Sequence, residues 1–345
     1  MERNHDQGIH TCVVHGSTMA GHDNSRSILQ KCALITLLVV VQVTAEEICD
    51  RTKCPGPLRY YDELGCIPIH PPDGKCCPEA FDCSHLDNLS RDKCYVNGHE
   101  YNVGELLKPE ESNPCDIGCR CVSFDDTASF ICAAVDCAFL APKINCFTRY
   151  KHDSCCPDIS QICLKDGEER ATCEVDGVTY YDGNSFTPKS DPGLNCICMP
   201  GYTGNNTEPF CQKRKRSYCD PLFRNADKVH RNCVPVYYDH QEPQSDCSYA
   251  YRCQSADDEV ISSKSTDKPR GNLPEEQQTC RFGNLTMQLG DELSEGTGDY
   301  ESYCMKCVCE VPPFPTCERI PFSACDPMKY FKFPTIPIDI STADI

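Results

Sequence analysis

The sequence predicts a small disulfide-rich fold, mostly short antiparallel β-strands and loops, in several units set in tandem. Three observations predict it. The chain of 345 residues holds 32 cysteines, a density typical of oxidised chains whose domains are too small to bury a sufficient core. Trp is absent and aromatic residues make up only 8%, while Pro (26) and Gly (20) are frequent, so cross-links replace a large core. The cysteine order also recurs in four blocks, each below the size at which a hydrophobic core suffices. Closing a loop of tens of residues contributes roughly 3–4 kcal/mol in the chain-entropy model.

Taken in order, the chain opens with a leader. Lys31 precedes an apolar run from Ala33 to Val41 that continues through Val43 and ends Val43-Thr44-Ala45. A positive segment, a short apolar segment and a small-x-small cleavage site read as a signal peptide over residues 1–45. Met19 offers an alternative start that gives a leader of ordinary length. The apolar run falls short of the roughly 20 residues a helix needs to cross a bilayer, and no later stretch approaches it, so no membrane span is expected. Cys12 and Cys32 leave with the leader, and the 30 remaining cysteines are an even number.

The first block is Cys49, Cys54, Cys66, Cys76, Cys77 and Cys83. The second holds ten: Cys94, Cys115, Cys119, Cys121, Cys132, Cys137, Cys146, Cys155, Cys156 and Cys163. Its marks are the tight Cys115-x-x-x-Cys119-x-Cys121 cluster, the gap from Cys132 to Cys137, and the adjacent Cys155-Cys156 followed by Pro157. Cys49 and Cys54 repeat that gap, and Cys76-Cys77-Pro78 repeats the adjacent pair. The third block has eight: Cys173, Cys196, Cys198, Cys211, Cys219, Cys233, Cys247 and Cys253. The fourth has Cys280, Cys304, Cys307, Cys309, Cys317 and Cys325.

Residues other than cysteine repeat as well, which marks true internal repeats. Cys94-Tyr95-Val96-Asn97-Gly98 is echoed by Cys173-Glu174-Val175-Asp176-Gly177 and more loosely by Cys280-Arg281-Phe282-Gly283-Asn284. Asn-Gly between apolar residues is a hairpin signal, because both central positions of a type I′ turn need positive φ. In the fourth block Asn284, the next-best residue at positive φ, is expected to take the place of that glycine. Residues 178–181 and 130–135 read as strands, and no segment beyond the leader has sustained helical periodicity. Gln254 to Thr279 has no cysteine and is rich in Ser, Asp, Glu, Lys and Pro; it reads as a disordered linker. The tail from 327 to 345 is Pro-rich.

The ten-cysteine order of residues 94–163 resembles the von Willebrand factor type C (VWC) module, known from chordin-like, kielin-like and crossveinless-like extracellular proteins. The resemblance implies tandem VWC-like modules in an extended arrangement. On it, residues 46–90 are the C-terminal half of a module, 91–168 a complete module, and 169–254 a degenerate one. Residues 255–279 form the linker and 280–326 an N-terminal half that stops at the sixth cysteine position. The third block lacks the first cysteine of the tight cluster and one of the adjacent pair. Their joint loss suggests that these two positions are partners, pairing Cys115 with Cys155 or Cys156.

The resemblance also implies function: a secreted binding protein that modulates a TGF-β/BMP-type growth factor. Family members commonly make ligand contacts near the first cysteine, here roughly residues 90–107, with Tyr95, Val96 and Tyr101 as apolar candidates. A structural matrix component and a small-module protease inhibitor are the alternatives. Cys196-Ile197-Cys198-Met199-Pro200-Gly201-Tyr202 has some look of trypsin-inhibitor-like modules.

The remaining chemistry is sparse. Net charge is −19 and none of it comes from the leader, which argues against nucleic acid or anionic lipid as the main partner. Cys304-x-x-Cys307 resembles a zinc or redox motif, but an oxidising compartment removes thiolates and no βαβ context surrounds it. Acid pairs such as Glu110-Glu111 and Asp257-Asp258-Glu259 read as solvated loop charges. No catalytic or phosphate-binding motif is present, so no enzymatic activity and no cofactor are expected. Lys213-Arg214-Lys215-Arg216 is the one basic run, read as a solvated loop, a heparan sulfate site or a proprotein-convertase site. Asn88, Asn205 and Asn284 begin N-glycosylation sequons.

Overall fold

The computed structural model describes residues 49–138, 141, 143–263, 274–295, 304–321 and 323–325. The expected leader, the tail and most of 264–279 lie outside these residues. The chain divides into two units, Met1–Cys49 and Asp50–Ile345, and every strand and helix among the described residues lies in the second.

Each of the last three blocks opens on a two-stranded hairpin. Lys93–Val96 pairs with His99–Asn102, Thr172–Val175 with Val178–Tyr181, and Thr279–Phe282 with Leu285–Gln288, all antiparallel. Asn97 (φ 49°) and Gly98 (φ 80°) are both left-handed, as are Asp176 (φ 50°) and Gly177 (φ 78°), which is the geometry a type I′ turn demands. In the fourth block the left-handed residue is Gly283 (φ 55°), one position earlier than expected, and not Asn284. The chain thus belongs to the small disulfide-rich β class.

All thirty cysteines from Cys49 to Cys325 are disulfide-bonded, and their connectivity divides a module into halves. The N-terminal half carries two crossed bridges: Cys94–Cys121 with Cys119–Cys132, Cys173–Cys198 with Cys196–Cys211, and Cys280–Cys309 with Cys307–Cys317. The C-terminal half carries another two: Cys54–Cys77 with Cys66–Cys83, Cys137–Cys156 with Cys146–Cys163, and Cys219–Cys247 with Cys233–Cys253. In the ten-cysteine block Cys115–Cys155 ties the halves together. Of the two partners left open for Cys115, the structure takes Cys155. Cys325 bonds to Cys304, so it fills the place that Cys155 fills for Cys115, not that of a sixth cysteine.

The modules are not strung out. One hydrophobic core joins Leu58, Tyr61 and Phe81 of the first block to Val234 and Val236 of the third and to Phe282, Val311 and Phe314 of the fourth. A six-stranded sheet runs through it, in the order Ala250–Arg252, Val234–Tyr237, Thr316–Arg319, Met305–Val308, Glu292–Leu293 and Val260–Ile261. The pairing of Val234–Tyr237 with Thr316–Arg319 is parallel. The physical reason is size: a half-module with two bridges leaves rings such as Tyr61 and Phe314 bare unless another half covers them.

Two further expectations are corrected. The segment after Gln254 is not wholly a linker, because Val260–Ile261 pairs with Glu292–Leu293 and Asp258 is buried in an ion pair with Arg252. Among the described residues three short α-helices also occur: α1 (Leu58–Leu64), α2 (Pro221–Arg224) and α3 (Ala226–His230). Each has fewer than eight residues, too few for a period of 3.6 to be read from sequence. α1 ends in a left-handed Gly65 (φ 71°), the usual conformation just past a helix C-terminus.

Candidate binding surface

Tyr95, Val96 and Tyr101 are core residues, 6%, 2% and 2% exposed. The hairpin lies on the ribbon formed by Ile117–Phe124 and Thr127–Ala133 and turns Val96 and Tyr101 into its core with Leu107, Phe130 and Phe223, while Tyr95, on the other face of its strand, is buried outside that cluster. The Tyr101 ring meets Phe130 edge-on at 5.1 Å. Its hydroxyl donates to the Glu111 carboxylate, which His99 Nδ1 also reaches. Burial and the Glu111 hydrogen bond push the Tyr101 hydroxyl up to about 12. Burial works to raise the Glu111 carboxyl, but the Tyr101 and His99 hydrogen bonds outweigh it and hold the group below its ordinary value. Tyr95 Oη accepts from the Ser90 amide at 2.7 Å. These tyrosines are therefore spent on the interior, and Glu111, expected in solvent, is spent with them.

What the complete module presents outward is different. Cys119, Cys121, Ala128 and Phe130 take the inner face of the ribbon. On the outer face, Leu106 bridges to Arg120, and Arg120 stands opposite Ile131. Leu106 (54%), Phe124 (61%) and Ile131 (48%) are exposed, as are Val103 and Ile117 nearby. Val103 and Leu106 fall inside the 90–107 stretch, so the stretch keeps exposed apolar residues, but Tyr95, Val96 and Tyr101 do not supply them. Alternation along a strand distinguishes two faces but does not say which is covered; Phe223, far along the chain, decides that here.

Phe223 projects from α2 of the third block and stacks on Phe130 at 5.0 Å. The basic run beside it is not a free loop. Arg216 is 6% exposed, pairs with Asp116 at 2.8 Å, and lies over the Phe223 ring at 3.6 Å. Asn113 holds the Arg216 carbonyl at 3.0 Å, and Asn97 holds that of Lys215 at 3.0 Å. None of the crossed bridges of the half-modules spans the Arg216–Ser217 bond, so a cut there leaves none of them between the two sides. Asn88, Asn205 and Asn284 are exposed. Cys304 and Cys307 are bonded to Cys325 and Cys317, not to one another. No helix among the described residues is long and apolar enough to cross a membrane.

Comparison with known proteins bears on this arrangement. A "von Willebrand factor C and EGF domain-containing protein" from Mus musculus is 29% identical over 177 residues, covering 50% of this chain and 14% of that protein. "Cysteine-rich motor neuron 1 protein" from Danio rerio is 29% identical over 158 residues, 46% of this chain and 13% of that one. Both likenesses support a VWC-type chain. They single out no member, and the chain spans only about one seventh of the length of these curated relatives. No family model matches the chain, and no solved structure matches it. The VWC-type reading fits the paired cysteines, which belong to an oxidising, extracellular setting.

Proposed function

We propose that the chain is a secreted glycoprotein that binds a TGF-β/BMP-type growth factor through its complete VWC-like module and modulates its action. The observation that carries this reading is the outward row in which Leu106 and Ile131 flank Arg120, with Phe124 beyond it, on a ribbon locked by Cys94–Cys121 and Cys119–Cys132. A backbone locked by two disulfides needs little ordering on binding, which lowers one of the costs of association. Small clusters of such side chains dominate interface energies. The paired cysteines and the VWC name of one relative support the same reading. We read the chain as a binding protein without enzymatic activity.

The test is solution binding of the secreted chain to a panel of bone morphogenetic proteins. Saturable binding is expected, weakened about tenfold or more when Leu106→Ser and Ile131→Ser are combined, with the unfolding midpoint essentially unchanged. A folded chain that binds no member of the panel overturns the proposal.

A further inference from the structure

A cleft of 230 Å³ lies where the second and third blocks meet, lined among others by Asn113, His152, Asn195, Lys213, Arg214 and Lys215. Asp153 is the only carboxylate in its lining. Among the described residues, no carboxylate lies within ion-pair distance of Lys213, Arg214 or Lys215, whereas Arg216 and Arg224 both turn to Asp116. Arg214 is half-buried. It spends Nη2 on Thr187 Oγ1 at 2.9 Å and Nε on the Leu194 carbonyl at 3.3 Å, acceptors that carry no charge to neutralise it. Among the described residues, Lys215 Nζ likewise donates to the uncharged Pro109 carbonyl alone, at 2.9 Å. His152 Nδ1 is buried and has no hydrogen-bond partner among the described residues.

A partly desolvated guanidinium without a counter-ion is costly, and a bidentate oxyanion is the partner its planar fork fits. The desolvation is visible in Arg214 itself, whose pKa burial draws below the ordinary arginine value. The backbone of the run is fixed beforehand by the Asn97 and Asn113 hydrogen bonds to the Lys215 and Arg216 carbonyls. Three consecutive cations held at set spacing, two of them exposed, suit a linear polyanion better than a single small ion, which Arg214 alone would satisfy.

We propose that this cleft seats sulfate groups of a glycosaminoglycan chain, with Arg214 as the central contact and Lys213 and Lys215 flanking it. Arg216, held on Asp116, takes no part. The site shares no residue with the Leu106–Ile131 row and does not depend on growth-factor binding.

The experiment is binding of the full secreted chain to a heparin dodecasaccharide over a range of salt concentrations. Combining Lys213→Ala, Arg214→Gln and Lys215→Ala is expected to weaken binding about tenfold or more near physiological salt and to flatten its salt dependence. Lys228→Ala with Lys306→Ala, elsewhere on the surface, is expected to leave both unchanged. Equal binding by the triple variant, or an equal loss in the control, overturns the proposal. A second measurement needs no variant: heparin should shield Lys213 and Lys215 of the wild-type chain from amine acetylation. Shielding by inorganic phosphate at the same charge concentration would point to a small-anion site and overturn the glycan assignment, as would no shielding at all.

Discussion

Tyr61 Oη donates to the Val311 carbonyl at 2.6 Å, and the Phe314 amide donates back to Tyr61 Oη at 2.8 Å. This closes the first block on the fourth across 250 residues of chain. The Tyr61 ring is fully buried, stacked on Phe81 at 4.2 Å and on Phe314 at 6.1 Å. A C-terminal half-module and an N-terminal half-module, each short of a core, thereby supply one to each other.

Tyr61→Phe should keep those ring contacts and leave the Val311 carbonyl and the Phe314 amide without their buried partner. The expected loss is about 1–3 kcal/mol, read as a lower urea midpoint with disulfides intact. Tyr61→Ala should cost about 3–5 kcal/mol by analogy with other buried aromatic deletions. An unchanged midpoint in both would mean that the terminal blocks do not share a core.

Asp220 should make stability fall as pH rises toward neutrality. Burial lifts its carboxyl to about 7, against the pull of Arg216 and with Glu63 adding to the rise. Its value in an unfolded chain lies near 3.8, so folding takes up a proton between these two limits. Stability from this group is therefore full below about 4 and lost as pH climbs through about 7. Asp220→Asn, which keeps a good residue at the start of α2, should unfold at a higher temperature than wild type at pH 8. The gap should close at pH 4.5. Calorimetry at the two pH values checks this.

The Asp116–Arg216 pair should shield the basic run from proteolysis. Removing one partner of a buried ion pair costs about 3–5 kcal/mol, because the other charge stays buried alone. Asp116→Asn should therefore release Arg216 and speed cleavage after it by a proprotein convertase, under conditions in which the wild-type chain stays whole. The fragments should separate on a denaturing gel without reductant. Equal cutting of both chains would show that Arg216 is accessible already.

Cys115 and Cys155 should be removable together but not singly. Their bridge closes a loop with a sequence separation of 40, and its loss should cost about 4 kcal/mol. Each half keeps its own crossed bridges, as the third block does with no counterpart of this bond. Cys115→Ser alone would leave a free Cys155 beside Cys156 and should yield mispaired forms by peptide mapping. The double variant should keep the other four bridges of its block.

Local chemistry made much of this molecule legible. Asn97-Gly98 and Asp176-Gly177 announced their turns because positive φ is a property of one or two residues. The lost cysteines of the third block pointed to the partners of the Cys115–Cys155 bond, because disulfides are gained and lost in pairs. Short helices escaped notice because α1 completes barely two turns. Glu111 and Asp258 looked like solvated charges, since nothing in a residue's neighbours along the chain shows that Tyr101 or Arg252 will reach it.

Cysteine density and turn chemistry were enough to establish an oxidised chain of small β units and the Asn97-Gly98 and Asp176-Gly177 turns. Cysteine density and turn residues act over a few tens of residues at most. Long-range packing, by contrast, sets the meeting of the terminal halves through Tyr61, the burial of Tyr95 and Tyr101, and the turn of Arg216 away from its basic neighbours onto Asp116. Each of those outcomes rests on burial by a segment remote in the chain, and burial depends on which surfaces come together, which no local pattern encodes.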